Sequence, residues 1–348
     1  MNIAPDTIEY LGEVEETLKG ILVDFTPKDQ PPGDMAMTAA RHLCIGGGGK
    51  RIRPILVSYF ARALGVRVDQ RIVDAGVAAE MIHTASLLHD DVVDNGMFRR
   101  GRPTVNSLWG NVVAVMSGDL VLTLALERLS QHDLGVMQEA LSCVAEMTRG
   151  TIAELEARGD LALPLERMRF IADGKTGALF GFCGAAAARF AKNEDAYERF
   201  SEFGRRIGIA FQIADDVRDL TGGDAGKPQF ADLGSRTPSL PVLIAAQRDS
   251  SVRRRISDAW AFGSMTPERL RELGEAVLAT DAVDEAVRRM KHEVCRALDI
   301  FTPYAEVPGG MELVGLAHQL STAFDARGTN EGLRVDRHSG AAEQRRVV

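Results

Sequence analysis

Only four of the 348 residues are cysteine, and Cys44, Cys143, Cys183 and Cys295 stand far apart with no CxxC pair. That spacing excludes a disulfide framework and a zinc-type cluster, and it reads as buried thiols in a reducing compartment. Long hydrophobic runs are also missing. The longest candidate, Gly177 to Ala188, has 12 residues rich in Gly and Ala, short of the ~18 needed for a membrane span. There is no excess of basic charge: 41 Lys and Arg against 49 Asp and Glu give a net charge of −8. Bulk electrostatics therefore speak against a nucleic-acid partner. The acidic opening, MNIAPDTIEYLGEVEETL, lacks the basic and cleavable parts of a secretory signal. These absences predict a soluble cytoplasmic protein without stable membrane insertion.

What is present is helical patterning. The chain is 45% hydrophobic and 26% charged, a composition that suits a globular protein with a sizeable core. Ile8, Leu11, Val14, Leu18, Ile21, Leu22 and Phe25 recur at spacings of three and four, which predicts a surface helix over 7–25. Thr266-Pro267-Glu268 reads as a helix start, with Thr as cap and Pro at the first helical position. The stripe Val283, Ala286, Val287, Met290, Val294 and Leu298 predicts another helix. No β-branched alternation is long enough for a sheet, so the fold class is all-α. Two segments, Ala75–Leu88 and Ile207–Ala214, are apolar nearly all round and belong at the centre of a bundle. No linker divides the chain. One domain over 1–326 is expected, followed by a disordered polar tail over 327–348.

Each central segment runs into an acidic cluster. His89-Asp90-Asp91-Val92-Val93-Asp94 follows the first, and Asp215-Asp216-Val217-Arg218-Asp219 follows the second. Composition alone predicts roughly 0.15 DDxxD patterns per chain, so two copies are not a product of chance. On a helix, residues i and i+4 share a face, which aligns Asp90 with Asp94 and Asp215 with Asp219. Three neighbouring carboxylates repel one another, and divalent cations relieve that repulsion. Hard oxygen donors without His or Cys favour Mg²⁺ over zinc.

Basic groups supply a complement. A Gly run, Gly46 to Gly49, precedes Lys50, Arg51 and Arg53 at a helix start, an arrangement suited to phosphate. It is not a Walker A loop, because Arg51 stands where Ser or Thr is required. Arg99, Arg100 and Arg102 follow the first cluster; Lys175 and Thr176 follow a possible helix break at Gly174; Lys227 and Asp232 follow the second cluster. Together these describe a site for two polyphosphates, one held mainly through metal and one mainly through cations.

The elements GGGGKRIRP, LLHDDVVDNGMFRRGRPT, GKTGALF, FQIADDVRDL and GKPQFADL occur in this order. From about residue 8 to 326 the chain resembles the trans-isoprenyl diphosphate synthases, or polyprenyl synthetases. The resemblance implies an all-α, isoprenoid-synthase-type helical bundle around a deep central cavity, as a homodimer. It implies condensation of isopentenyl diphosphate with an allylic diphosphate, with three Mg²⁺ per site. Asp90 and Asp94 would hold two ions and Asp215 the third, supported by Asp91, Asp216, Asp219 and Asp232. Arg99, Lys175 and Lys227 would bind the allylic diphosphate. Thr176 and Gln212 would support the cation and diphosphate, and Lys50, Arg53, His83 and Arg100 would hold isopentenyl diphosphate.

Short-product members of the family often carry bulky aromatics four or five residues before the first cluster. Here Ser86 and Ala85 occupy those places, which implies an open tunnel and a product of C20 or longer, with Leu122 and Leu126 as candidate floor residues. Two departures stand out. Thr237, beside Arg236, replaces a frequent second Lys, and Gly150-Thr151-Ile152-Ala153-Glu154-Leu155 stands where many members read GEVLQL. A class I terpene cyclase would replace the second DDxxD, and a phosphohydrolase using His89-Asp90 would need further His ligands. A non-catalytic subunit of a heteromeric synthase is the remaining rival.

Overall fold

Helical periodicity along nearly the whole sequence is realised as a bundle. A computed structural model describes residues 5–24, 34–45, 49–222, 229–262 and 265–325. The first half contributes α1 (Pro5–Asp24), α2 (Met35–Cys44), α3 (Ile52–Ala63) and α4 (Gln70–Val93). A two-stranded hairpin, β1 (Phe98–Arg99) and β2 (Arg102–Pro103), leads to α5 (Val105–Trp109), α6 (Asn111–Ser130) and α7 (Leu134–Ala157). Then come α8 (Leu165–Ala172), a π-turn (Asp173–Gly177), α9 (Ala178–Ala191) and α10 (Glu194–Thr221). The remainder is α11 (Ala231–Ser235), α12 (Leu240–Arg248), α13 (Ser250–Phe262), α14 (Pro267–Leu278), α15 (Ala282–Phe301) and α16 (Gly310–Thr322). The expected tail over 327–348 lies outside the described residues.

The two segments read as central are central. Residues 72–82 of α4 are buried without interruption, and most of α10 from Phe203 to Leu220 is buried as well. Side chains fix the helix starts. Asp69 caps α4, Asn193 caps α10, and Thr266 caps α14 by accepting from the Arg269 amide. α4 lies against α3 and α6, while α9 fills the space between α3, α7 and α10. One continuous apolar core runs from Tyr10 on α1 to Leu320 on α16.

Glycine sets the closest approach. A Cβ at Gly204 of α10 would stand 2.3 Å from the Phe180 carbonyl oxygen of α9, and one at Gly208 would stand 2.7 Å from the Gly177 Cα. Only hydrogen fits there, so α10 meets the π-turn and α9 backbone to backbone.

Two expectations need correction. The helix does not break at Gly174. It widens into the π-turn while remaining continuous from α8 into α9. The turn packs against the α7 backbone, where a Cβ on Gly150 would stand 2.6 Å from the Lys175 amide nitrogen. The four cysteines are not all buried. Cys44, Cys143 and Cys183 are, but Cys295 is exposed, because α15 turns Met290, Val294 and Ala297 to the core and leaves position 295 outside. Among the described residues no helix is long and apolar enough to cross a membrane.

Candidate active site

The first aspartate cluster ends α4. Asp90 keeps its place on the helix, and its carboxyl is raised above the ordinary range by burial, with Lys175 opposing and Asp94 and Glu154 adding to the rise. Asp94 caps the helix, its amide donating to the Asp90 carbonyl at 2.8 Å, and its carboxylate accepts from Arg158 Nη2 at 2.5 Å. Asp91 faces elsewhere. Only 4% exposed, it accepts from Arg99 Nε at 2.9 Å and ties β1 to the helix end. Asn106 Nδ2 donates to the carbonyls of Asp91 and Gly96, and Thr104 Oγ1 donates to the Gly96 carbonyl, so the connecting turn is fixed.

The second cluster lies on α10 within a chain of hydrogen bonds. Thr176 Oγ1 donates to Gln212 Oε1 at 2.8 Å, Gln212 Nε2 donates to Asp216 Oδ1 at 3.0 Å, and the Leu240 amide donates to Asp216 Oδ2 at 3.1 Å. Asp215 accepts from Arg218 at 2.8 Å. Asp219 receives the amides of Ala231 and Asp232 at 2.9 and 3.2 Å, which brings α11 to the cluster. Burial pushes Asp216 up to about 7 against the hydrogen bonds from Gln212 and Leu240. Burial and the carboxylates of Asp216 and Asp219 raise Asp232 as well.

Lys175 and Glu154 stand between the clusters. Lys175 Nζ donates to Glu154 Oε2 at 2.5 Å. Burial would favour neutral lysine, but Glu154, Asp90 and Asp94 outweigh it and raise its pKa. Glu154 also acts on the carboxyls of Asp90, Asp216 and Asp232. One α7 carboxylate thus feels both clusters. The π-turn positions the Lys175 and Thr176 side chains beside this space, a common use of such an insertion.

The cationic half gathers around His83. Burial, followed by the guanidinium groups of Arg53, Arg100, Arg99 and Arg51, depresses its pKa well below the usual imidazole value. Arg53 lies over the Phe180 ring at 5.3 Å, and its Nε is buried without a hydrogen-bond partner. The Arg100 guanidinium lies beside Gly49, where a Cβ would approach it to 3.1 Å. Lys50 is exposed at the head of α3, and Lys227 lies outside the described residues. Arg51 has a different task. In a left-handed conformation at φ 52°, it pairs with Glu80 at 2.6 Å and Glu15 at 2.7 Å and donates to the Cys44 carbonyl.

Ala85 is buried on α4, and Ser86 Oγ donates to the His83 carbonyl at 2.8 Å. Leu122 and Leu126 pack half-buried on the neighbouring α6. His89 turns toward α6. Its Nε2 stands 3.3 Å from both Asp119 Oδ1 and the Val115 carbonyl, and its ring fills the space beside Gly118. The exposed Arg236 ends α11, and Thr237 Oγ1 stands 2.9 Å from Ser235 Oγ.

Sequence reasoning missed Glu154 as the partner of Lys175, Arg158 as the partner of Asp94, and the Leu240 amide as the anchor of Asp216. Arg218, three residues after Asp215 on one helix, carried a readable spacing. The other contacts join residues 21 to 64 positions apart, and no local pattern announces them.

Residues 35–277 match the family model described as Polyprenyl synthetase. The octaprenyl diphosphate synthase of Haemophilus influenzae is 34% identical over 282 residues, covering 79% of this chain and 84% of that protein. The heptaprenyl diphosphate synthase component 2 of Geobacillus stearothermophilus is 34% identical over 296 residues, covering 83% and 88%. Among solved structures, the decaprenyl diphosphate synthase from Rhodobacter capsulatus superposes with a TM-score of 0.82 at 27% identity, covering 91% of this chain and 96% of that one. The all-helical architecture and these matches agree: the chain belongs to the polyprenyl synthetase family, a family of prenyltransferases.

Proposed function

We propose that this protein is a trans-polyprenyl diphosphate synthase that condenses isopentenyl diphosphate with an allylic diphosphate and makes a product of C20 or longer. The observation that carries the reading is the Lys175–Glu154 pair, which interacts with carboxylates of both aspartate clusters. Two acidic walls therefore share one space, with the Arg53, His83 and Arg100 group on α3, α4 and the hairpin.

The donors fit magnesium. Asp90, Asp94 and Asp215 offer hard oxygens. Among the described residues no three metal-ligating side chains already form a cage, and Mg²⁺ commonly completes its shell with water and substrate phosphate. When bound, Mg²⁺ supplies positive charge to the diphosphate leaving group as its C–O bond breaks. We assign three ions to the site.

The protein's own groups do the rest. Lys175 holds the allylic diphosphate, and Thr176 and Gln212 direct their dipoles at the cation and diphosphate. Arg99 joins them by exchanging Asp91 for a phosphate oxygen, and Lys227 is assigned to the same diphosphate. Asp91, Asp216, Asp219 and Asp232 support the metal-binding carboxylates. Arg53, Arg100 and Lys50 grip isopentenyl diphosphate beside a neutral His83. Its double bond attacks the allylic cation, and the released diphosphate takes the proton.

Small Ala85 and Ser86 leave the path beneath the first cluster open, and the octaprenyl- and heptaprenyl-forming relatives agree with a long product. The free thiols Cys44, Cys143 and Cys183 support a reducing, cytoplasmic setting. The name of the Geobacillus relative, a component, favours a second reading in which this chain works with another subunit.

Purified protein incubated with labelled isopentenyl diphosphate, Mg²⁺ and C5, C10, C15 or C20 primers tests both readings. Chromatography of the dephosphorylated products should reveal chains of C20 or longer. Silence with every primer would overturn the first reading, and activity restored only by a second subunit would establish the other.

A further inference from the structure

Beside the second aspartate cluster, between α8, α10, α12 and α15, lies a cavity of about 550 Å³, within the size range of small-molecule sites. α10 presents Arg206, Ile209, Ile213 and Asp216 to it at helical spacing. Met168 and Leu165 of α8 and Leu240 of α12 complete an apolar floor. The polar lining is cationic: Arg169, Arg206, Arg289 and Arg296 against the two carboxyls of Glu293 and Asp216, with His292 alongside. Glu293 is shared, accepting from Arg169 Nε and Arg206 Nη1, each at 2.8 Å. Arg289 pairs with Glu285 at 2.9 Å and Arg206 also with Glu202 at 2.7 Å, which leaves Arg296 as the lining guanidinium without a carboxylate partner among the described residues. Positive charge over a hydrocarbon floor complements one ligand chemistry.

We propose that this cavity is an effector site for a small amphipathic anion, with its head at Arg289 and Arg296 and its hydrocarbon tail against Met168, Ile209, Ile213 and Leu240. The walls connect it to the chemistry. Leu240 both lines the cavity and donates its amide to Asp216, which in turn orders Gln212 and Thr176. α8 leads directly into the π-turn that carries Lys175. An occupant that displaces Leu240 therefore alters the hydrogen-bond chain behind the second cluster. The binding claim stands on the cavity alone, and only its effect on turnover rests on the proposed prenyl transfer.

Calorimetric titration of the full chain without magnesium tests binding, with farnesyl monophosphate, decanoate and inorganic phosphate as probes. Lys175→Ala weakens binding at the active site, whereas Arg289→Gln/Arg296→Glu addresses the cavity. Farnesyl monophosphate should bind the Lys175→Ala protein within twofold of wild type, and the double variant at least tenfold more weakly. Inorganic phosphate, lacking a tail, should bind at least tenfold more weakly than farnesyl monophosphate. Decanoate binding as tightly would identify a carboxylate source, and its failure would identify a phosphate source; both support the amphipathic class. Met168→Trp fills the cavity without changing charge and should also abolish binding. Loss of binding in Lys175→Ala, indifference to both cavity changes, or no heat from either tailed probe would overturn the proposal. Without ligand the double variant should retain prenyl transfer within twofold, so failure here is distinguishable from failure of the functional reading.

Discussion

Glu154 pairs with Lys175, the side chain proposed to bind the allylic diphosphate. The pair is half-buried, so the lysine must exchange one anion for another on binding. Glu154→Gln removes the internal competitor. We expect the KM for the allylic diphosphate to fall about fivefold, equivalent to about 1 kcal/mol, with little change in Tm; steady-state kinetics and thermal unfolding check this. His83 carries the opposite kind of electrostatics. Its folded pKa lies well below that of the unfolded chain through burial and nearby guanidinium groups. The unfolded state therefore takes up a proton below pH ~6.5 that the folded state refuses, and stability falls as pH decreases through that region, by at most about 1.4 kcal/mol per pH unit from this group. Urea denaturation at pH 5, 6 and 7 should show a shallower pH slope for His83→Asn than for wild type.

Among the helices, the seam between α9 and α10 depends on a missing side chain. Gly204→Ala would drive a methyl group into the Phe180 carbonyl, with an expected cost of about 1–3 kcal/mol; chemical denaturation gives the value, and activity should fall with it because Thr176 and Gln212 face each other across this seam. On α4, Ala85→Phe should shorten the product, as chromatography of chain lengths would reveal. An unchanged distribution removes Ala85 from the account. The all-helical character, the Thr266 cap and the two acidic clusters were legible because each is written in local pattern: Thr266 with Pro267, Asp90 with Asp94, Asp215 with Asp219. The caps Asp69 and Asn193 went unread. The π-turn was not legible, because the backbone it packs against, at Gly150 of α7, lies more than twenty residues away in sequence. The separation of Asp91 from Asp90 was hidden too, since adjacent aspartates look equivalent until Arg99 claims one of them. Cys295 misled for a related reason: residue type predicts burial only on average, and helix phase decides it.

Across the whole molecule, α6 and α7 leave apolar side chains uncovered. Val112 and Met116 on α6, and Leu134, Leu141 and Ile152 on α7, are exposed at helical spacing. Such a surface suits the homodimer that the sequence resemblance implies. Sedimentation should give a dimer for wild type and a monomer for Val112→Asp/Leu141→Asp; a wild-type monomer would contradict the assignment. Within each protomer, the glycine seam has a mechanical consequence. At Gly204 and Gly208 no side chain intervenes, so any shift of α10 carries the π-turn and the Thr176–Gln212 pair along with it. The hairpin opposite is braced from two helices, by Asp91 of α4 through Arg99 and by His42 of α2 through Arg102 and Pro103, so an arriving headgroup would meet a doubly anchored loop.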